Sequence, residues 1–257
     1  MKVLRVRRGE RTFYAQLLLR ERMVRCLDPS IGVPELSELS EVKVLPPVAP
    51  SKVVCAQGNF RDRLRELDRE PGDAPMLFLK PPSAVIGNGE PIVLPRAVSR
   101  VEAWGELALV LGRACRNIAP ADVPRVLFGY ACANDVTAGD APDADGCLGQ
   151  AKGYDSFAPI GPWIETAVLD PSDLRLRTRI NGTVVQEGST AEMLVSPLAL
   201  VSLVSSIMTL LPGDVIFTGS PAGGGRLAAG DEVRVEIDEV GVLINAARAE
   251  ADFAPVQ

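Results

Sequence analysis

Glu102-Ala-Trp-Gly-Glu-Leu-Ala-Leu-Val-Leu-Gly112 joins an acidic head to an apolar tail that favours a β-strand. The tail, residues 107–111, is apolar at every position, which is typical of a buried strand. Glu102 and Glu106 precede it, and a carboxylate on the end of a buried strand is costly unless a positive group meets it. A divalent cation is one candidate for that group, and a solvated strand end is the alternative.

The composition is that of a globular protein with a substantial core. The 257 residues are 47% hydrophobic and 23% charged, which predicts one large domain or one domain with a small extra piece. The net charge of -6 argues against nucleic-acid binding. No apolar run approaches the roughly 18 residues of a membrane span, and the basic start lacks the core of a signal peptide. We therefore expect a cytoplasmic protein without membrane contact. Five dispersed cysteines are expected to be reduced thiols: Cys26, Cys55, Cys115, Cys132 and Cys147.

The chain contains no histidine, which is the most restrictive fact in its composition. Ser-His-Asp and Cys-His catalysis and every histidine-ligated metal site are thereby excluded. Acid–base chemistry must use Asp, Glu, Lys, Tyr, Cys or water, and dispersed carboxylates favour a hard cation. The glycine-rich stretch 219–225 lacks the Gly-Lys-Ser/Thr ending of a phosphate-binding loop, and no Gly-x-Ser-x-Gly elbow is present.

Short strands dominate the predicted elements, so we expect an α+β fold that is mainly β. The proline-rich connector 45–50 suggests a boundary between a small β-rich segment, residues 1–48, and a second domain, residues 49–257. Asn181-Gly182 predicts a type I′ hairpin, and Ser196-Pro197 predicts the start of the longest helix. Residues 123–128 favour a helix, whereas residues 150–163 indicate an irregular segment. Residues 61–70 are expected to form a short helix, either a surface turn or a mobile lid.

Several segments, in order along the chain, resemble the fumarylacetoacetate hydrolase family. They include Gly58-Asn-Phe-Arg-Asp62, Phe78-Leu-Lys-Pro-Pro-Ser-Ala-Val-Ile-Gly87, Glu106-Leu-Ala-Leu-Val-Leu-Gly112, Gly129-Tyr-Ala-Cys-Ala-Asn-Asp-Val-Thr-Ala138, Lys152-Gly-Tyr-Asp-Ser-Phe-Ala-Pro-Ile-Gly-Pro-Trp163 and Leu211-Pro-Gly-Asp-Val-Ile-Phe-Thr-Gly-Ser-Pro-Ala-Gly223. The resemblance implies a mixed β-roll, a homodimer, and Mg²⁺ or Mn²⁺ acting on a small oxo acid. The family's reactions are C–C hydrolysis, decarboxylation and isomerisation through a metal-stabilised enolate.

The family's metal ligands are only partly matched. The resemblance places metal ligands at Glu106 and Asp135, but Trp104 stands where the family has its first glutamate. Glu102 shares a strand face with Glu106, yet an extended strand separates the two by ~13 Å, too far for one ion without a bulge. We therefore expect metal binding to be weakened or lost, and Trp104 to line the substrate site.

The family's catalytic groups are also altered. Arg63 takes the place of a lid histidine, while Glu66 keeps the position of that histidine's glutamate partner. Arginine is not a base at neutral pH, but Arg63 could bind a substrate carboxylate in bidentate fashion. Lys152 matches the family's active-site lysine, and Ser220 keeps a hydroxyl where threonine is usual. Gly139 replaces an arginine and removes a cation near the site.

Two hypotheses follow from these matches and departures. The first is an enzyme with an altered site, in which Lys152 stabilises an enolate and isomerisation or decarboxylation is favoured over hydrolysis. The second is a catalytically degenerate member that acts as a binding or supporting subunit. The scaffold motifs that persist beside altered catalytic positions are compatible with both.

Overall fold

The computed structural model describes residues 1–72, 74–140 and 148–250, and strands are its main regular elements. The strands are β1 (Lys2–Arg8), β2 (Arg11–Leu18), β3 (Met23–Cys26), β4 (Leu36–Glu38), β5 (Lys43–Leu45), β6 (Val53–Gln57), β7 (Met76–Lys80), β8 (Val85–Ile86), β9 (Ile92–Leu94), β10 (Val101–Ala103), β11 (Gly105–Leu111), β12 (Leu127–Asn134), β13 (Thr137–Ala138), β14 (Ala158–Glu165), β15 (Arg175–Ile180), β16 (Thr183–Ser189), β17 (Val215–Phe217), β18 (Gly225–Leu227), β19 (Glu232–Ile237) and β20 (Gly241–Ala249). The helices are α1 (Arg61–Glu66), α2 (Gly149–Lys152) and α3 (Pro197–Ile207), and short 3₁₀ helices occupy Pro29–Ile31, Leu39–Glu41, Pro82–Ala84, Pro120–Arg125 and Thr190–Glu192. The expected mainly β, α+β class is confirmed.

The largest sheet is mixed and is built around β11. Its strand order is β4-β3-β2-β1-β14-β12-β11-β17-β6-β7, with β5 on β1 and β8 on β14. Most pairs are antiparallel, but β17 runs parallel to β6. Every residue of β11 is buried. Leu107 and Leu109 join one core cluster and Ala108 and Val110 join another, so the uninterrupted apolar run reflects a core on each face of the sheet.

Two smaller sheets complete the fold. The first has the order β16-β15-β19-β20-β9, and Leu176, Val235 and Leu243 from its strands join the same core cluster as Leu107. The β15–β16 turn has φ of +49° at Asn181 and +82° at Gly182, which confirms the predicted type I′ hairpin. The second sheet, β13-β10-β18, lies beside the start of β11.

The strand expected over residues 102–112 is broken at Trp104. Residues 101–103 belong to β10 in the three-stranded sheet, and residues 105–111 belong to β11 in the large sheet. The Trp104 N–H donates to Asn134 Oδ1 at 2.9 Å, and its carbonyl accepts from the Asp135 N–H at 2.8 Å. The extended-strand separation of Glu102 and Glu106 therefore does not apply, because the chain changes sheets between them.

The N-terminal strands extend the large sheet. β1 pairs with β14, β2 and β5, while Leu4, Val6 and Phe13 form a separate core cluster. The boundary at residue 48 stays a prediction.

Two sequence-based expectations are wrong. Residues 123–128 do not form an α-helix, because Pro124 lacks the N–H that an α-helix needs and Leu127 pairs with Leu111 at the start of β12. Residues 150–163 are more regular than expected, since α2 ends at Lys152 and β14 begins at Ala158. Pro162 of β14 is accommodated where the pairing of this strand with β12 shifts register.

No helix in the described ranges is long and apolar enough to cross a membrane. Within those ranges the free cysteines are Cys26, Cys55, Cys115 and Cys132. Cys147 lies outside the described residues.

Asp214 links the loop before β6 to the loop before β17. Its buried carboxylate accepts from the Ser51 N–H at 3.0 Å and the Leu211 N–H at 2.8 Å, and it pairs with Lys52. Burial alone would raise the pKa of Asp214, but these partners outweigh burial and hold the pKa below its usual value.

We expect Asp214→Asn to lower the free energy of unfolding by about 1.5–3 kcal/mol near neutral pH. The native state holds this carboxylate at a lowered pKa, so its contribution is present above the unfolded-state pKa and is lost as pH falls through the folded-state pKa. Urea denaturation at neutral and acidic pH measures both effects. Asp122→Asn is the control, because Asp122 pairs with an exposed Arg125 and should change stability little. Equal losses in both variants would contradict the prediction.

Candidate active site

A cavity of about 130 Å³ opens where the start of β11, the end of β12 and α2 meet. This volume is below the ~300–1,000 Å³ of typical ligand pockets, which suits a small substrate. Candidate residues from the sequence that line it are Glu102, Glu106, Asp135, Lys152, Arg63, Trp104 and Ser220. Glu66, on α1, lies outside this lining and pairs with Arg63.

Asp135 is clamped between two lysines. Its Oδ2 accepts from Lys152 Nζ, and its Oδ1 lies 2.8 Å from Lys80 Nζ. Burial pushes the pKa of Asp135 upward, but Lys152 and Lys80 outweigh burial and hold the pKa below its usual value. Lys152 Nζ also donates to Thr137 Oγ1 at 2.7 Å, which fixes the ammonium group at the cavity wall. Asp135, Lys152 and Lys80 therefore form a buried cluster of charged side chains in a fixed arrangement.

Lys80 is the functional candidate that the sequence did not reveal. Its side chain is 1% exposed, and its ammonium group donates to the backbone carbonyls of Val136, Lys152 and Phe157 at 2.7–3.0 Å. These bonds use all three of its protons, so the close contact with Asp135 Oδ1 is electrostatic. Burial lowers the pKa of Lys80, and Asp135 opposes that shift. The sequence signals were its position at the end of an apolar strand and its place in the family-matching segment 78–87.

Glu106 lies on the same cavity, at the start of β11. One of its carboxylate oxygens accepts from the Gly219 N–H at 2.8 Å. Burial, reinforced by the negative charge of Asp135, raises the pKa of Glu106 well above its usual value. The two carboxyl groups therefore differ in character, because Asp135 is the charged group and Glu106 keeps its proton to higher pH.

Trp104 packs between the lid helix and the glycine-rich loop. The guanidinium carbon of Arg63 lies 4.0 Å from the centroid of the Trp104 ring, within cation–π range. On the Gly224 side, a Cβ built on that glycine would lie 2.6 Å from the ring. Trp104 thus supports Arg63 and requires the absence of a side chain at residue 224.

The α1 helix is docked over the cavity. Asp62 Oδ2 accepts from the Ala222 N–H at 2.9 Å, and Glu66 accepts from the Gly223 N–H at 3.3 Å. The helix ends at Glu66, before the expected residue 70, and the chain takes a left-handed conformation at Asp68, with φ of +51°. The helix is therefore docked beside the cavity, and its movement as a lid stays a prediction.

A cation lies beside Gly139, although the family resemblance places an arginine at residue 139 itself. The Arg100 side chain donates to the Gly139 carbonyl, and a Cβ on Gly139 would collide with the Arg100 guanidinium at 2.5 Å. Arg100 Nε lies 3.4 Å from Glu102 Oε1. Arg100 therefore occupies the space beside this glycine and partly neutralises Glu102.

The described residues do not match the donor set of a divalent-metal site. They contain no group of three His, Cys, Asp or Glu side chains that could hold a metal ion. Glu102, Glu106 and Asp135 line the cavity, but Glu102 pairs with Arg100 and Asp135 already faces two ammonium groups. Trp104 supplies no ligand atom. A divalent cation beside Asp135 would meet two positive charges at close range, which is unfavourable in a buried site.

A family model described as fumarylacetoacetate (FAA) hydrolase C-terminal matches residues 52–248. The chain belongs to the fumarylacetoacetate hydrolase family. Among solved structures, 5-carboxymethyl-2-hydroxymuconate delta-isomerase from Mycobacterium smegmatis is 35% identical with a TM-score of 0.87, covering 97% of this chain and 99% of its own. The maleylpyruvate hydrolase from Sphingobium sp. SYK-6, in complex with manganese(II) and pyruvate, is 28% identical with a TM-score of 0.80, covering 97% and 99%.

A sequence relative has a named activity. The human mitochondrial oxaloacetate tautomerase FAHD2A is 38% identical over 220 residues, which span 80% of this chain and 69% of that protein. Fumarylacetoacetate hydrolase family members thus include isomerases, hydrolases and a tautomerase of small oxo acids, so this chain belongs to a family of enzymes.

The Gly224 contact predicts a stability effect specific to Trp104. We expect Gly224→Ala to cost about 1–3 kcal/mol more than Gly89→Ala, because the new methyl group must displace the indole ring. Gly89 is a matched control, since its φ of +80° resembles the +79° of Gly224 and a Cβ there meets nothing within 4 Å. Chemical denaturation measures the difference, and tryptophan emission should change only in Gly224→Ala. Equal costs would mean that the ring is not packed as described.

Proposed function

We propose that the chain is an isomerase or tautomerase of small oxo acids that works through an enolate. The observation that carries this proposal is the Lys152 ammonium group, fixed by Asp135 and Thr137 at the wall of a small buried cavity. Glu106 lines the same cavity, and its pKa is raised by burial, whereas the lysines lower the pKa of Asp135. A fixed cation beside a protonatable carboxyl is the minimum that enolate chemistry requires.

Each residue has a distinct part in this scheme. Lys152 hydrogen-bonds the oxygen on which negative charge develops when the substrate enolises. Glu106 carries the proton to and from carbon, since its raised pKa suits exchange with a weakly acidic C–H. Trp104 and Ser220 line the cavity and shape it around the substrate.

Hydrolysis is disfavoured because the histidine–glutamate pair to which the family resemblance assigns water activation is altered at residue 63. Arginine is not a base at neutral pH, and Glu66 is engaged with Arg63 and with the Gly223 N–H. Isomerisation, tautomerisation and decarboxylation need no water nucleophile. The delta-isomerase and the oxaloacetate tautomerase support the first two classes.

No step is assigned to Mg²⁺ or Mn²⁺, although a relative was solved with manganese. The described carboxylates do not supply a three-ligand site. Metal assistance stays a prediction from the family resemblance. The homodimer and the cytoplasmic location are also retained as proposals. Light scattering of the purified chain would test the homodimer.

We expect the enol–keto conversion of oxaloacetate or a related oxo acid to be catalysed by the full-length chain and to fall about 10²–10⁴-fold in Lys152→Ala. Loss of the enol absorbance reports the rate. Each oxo acid is assayed in EDTA and again in Mn²⁺. Lys43→Ala, on the exposed strand β5, is the control. Wild-type rates equal to those of Lys152→Ala for every oxo acid tested would contradict the proposal. They would favour the non-catalytic hypothesis, which the altered Arg63 and Trp104 positions support.

A further inference from the structure

The two most unusual residues of the site touch each other. Arg63 replaces a histidine of the family motif and Trp104 replaces a glutamate, and the structure stacks the guanidinium group on the indole ring at 4.0 Å. The contact is clamped from both sides, by Glu66 on the guanidinium group and by Gly224 behind the ring. The side chains of Arg63 and Trp104 therefore form a single stacked pair.

We propose that Arg63, positioned by Trp104, binds the carboxylate of the substrate, and that small oxo acids bind here without a divalent metal ion. This inference deepens the proposed function and rests on it for the substrate class. Arg63 is the binding group, and Trp104 is a positioning residue that acts through it.

The ammonium groups around Asp135 disfavour a divalent cation at that carboxylate. Lys80 and Lys152 both face Asp135, so two ammonium groups meet one carboxylate. Arg63 adds a third cation at the cavity, and Glu66 pairs with it from outside the lining. The lining also holds Glu106 and Glu102, and Glu102 lies 3.4 Å from Arg100 Nε. An incoming cation would be repelled by groups that attract a carboxylate.

The hydrogen-bond capacity of Arg63 is only partly used. Within the described ranges its side chain donates to Glu66 alone, through Nη1. A guanidinium group has five N–H donors in a planar fork that matches a carboxylate. Stacking on Trp104 holds that plane at the cavity, where Lys152 is available for the neighbouring oxo oxygen. A carboxylate beside a carbonyl is thus the ligand that the pair fits.

The experiment is calorimetric titration of the full-length protein with oxalate, a non-reacting mimic of the carboxylate–oxo unit. We expect the same affinity in EDTA and in Mn²⁺. Arg63→Gln should weaken binding at least tenfold. Trp104→Leu should weaken it several-fold, because Arg63 is retained but no longer stacked on the ring. Arg65→Gln, on the exposed side of the same helix, is the control and should bind like the wild type. Melting temperatures verify that each variant is folded.

Oxalate binding that requires Mn²⁺, no binding in either condition, or wild-type binding by Arg63→Gln would each overturn the inference. Failure of the proposed function is distinguishable, because it would appear as metal-free oxalate binding with no turnover. Conversely, turnover that depends on Lys152 and on Mn²⁺ would support the function and overturn this inference.

Discussion

Replacement of Lys80 by methionine is expected to lower the free energy of unfolding by about 3–5 kcal/mol, because it removes one partner of a buried ion pair. Among the described residues, the substitution leaves the carboxylate of Asp135 with Lys152 as its only close cation. It also removes the Lys80 donor from three buried carbonyls, of which that of Phe157 keeps the Val136 N–H. The methylene stem is retained, so little of the loss comes from packing. Urea denaturation followed by circular dichroism measures the effect.

A second substitution separates the effect of the uncompensated Asp135 charge from the other effects of Lys80→Met on stability. Lys80→Met combined with Asp135→Asn should lose less than the sum of the two single variants, because the uncompensated charge is removed together with its partner. Lys43→Met on β5 controls for loss of a lysine from an exposed strand position and should cost little. A cost below about 1 kcal/mol for Lys80→Met would show that the buried ammonium group does not hold the site together.

Trp104→Glu is expected to raise the affinity for Mn²⁺ by at least about 100-fold, equivalent to about 2.8 kcal/mol. The side chain at residue 104 lines the cavity with Glu106 and Asp135, so a carboxylate there completes a three-ligand set. Arg63 lies directly over this position and would compete by pairing with the new carboxylate. Arg63→Gln in the Trp104→Glu background should therefore strengthen binding further. Manganese titration followed by electron paramagnetic resonance gives the affinities.

Trp104→Gln is the matched control for this gain. It opens the same space and brings an amide oxygen without the negative charge. If Trp104→Gln binds Mn²⁺ as well as Trp104→Glu does, the gain comes from space and not from the carboxylate. If neither variant binds, the two lysines on Asp135 are sufficient to exclude the metal.

Local patterns in the sequence predicted the parts of the fold that depend on neighbouring residues. The apolar run 107–111 identified the central strand, and Asn181-Gly182 fixed a hairpin, since each is decided by side-chain periodicity or by allowed φ values. The break at Trp104 was not predictable, because it depends on hydrogen bonds to Asn134 and Asp135 about 30 residues away. Tertiary pairing likewise turned Leu127 into a strand residue.

The ordered family motifs located most of the cavity lining, including Lys152 and Asp135. They contain Lys80 but did not reveal its role, because that role depends on carbonyls from three separate positions in the chain. They identified Arg63 and Trp104 as two separate departures, and only the fold shows that these residues are in contact. Pairwise contacts between distant segments are the information that a single sequence lacks.

The stacking of Arg63 on Trp104 has a consequence for protein engineering. Substitutions at the two positions are expected to be strongly epistatic, since each side chain determines what the other can do. A lid helix grafted from a manganese-holding relative would place a new side chain over an indole ring that evolved beside a guanidinium group. A library that varies α1 alone would therefore sample mostly defective sites, whereas one that varies residues 63 and 104 together could move between the two kinds of site.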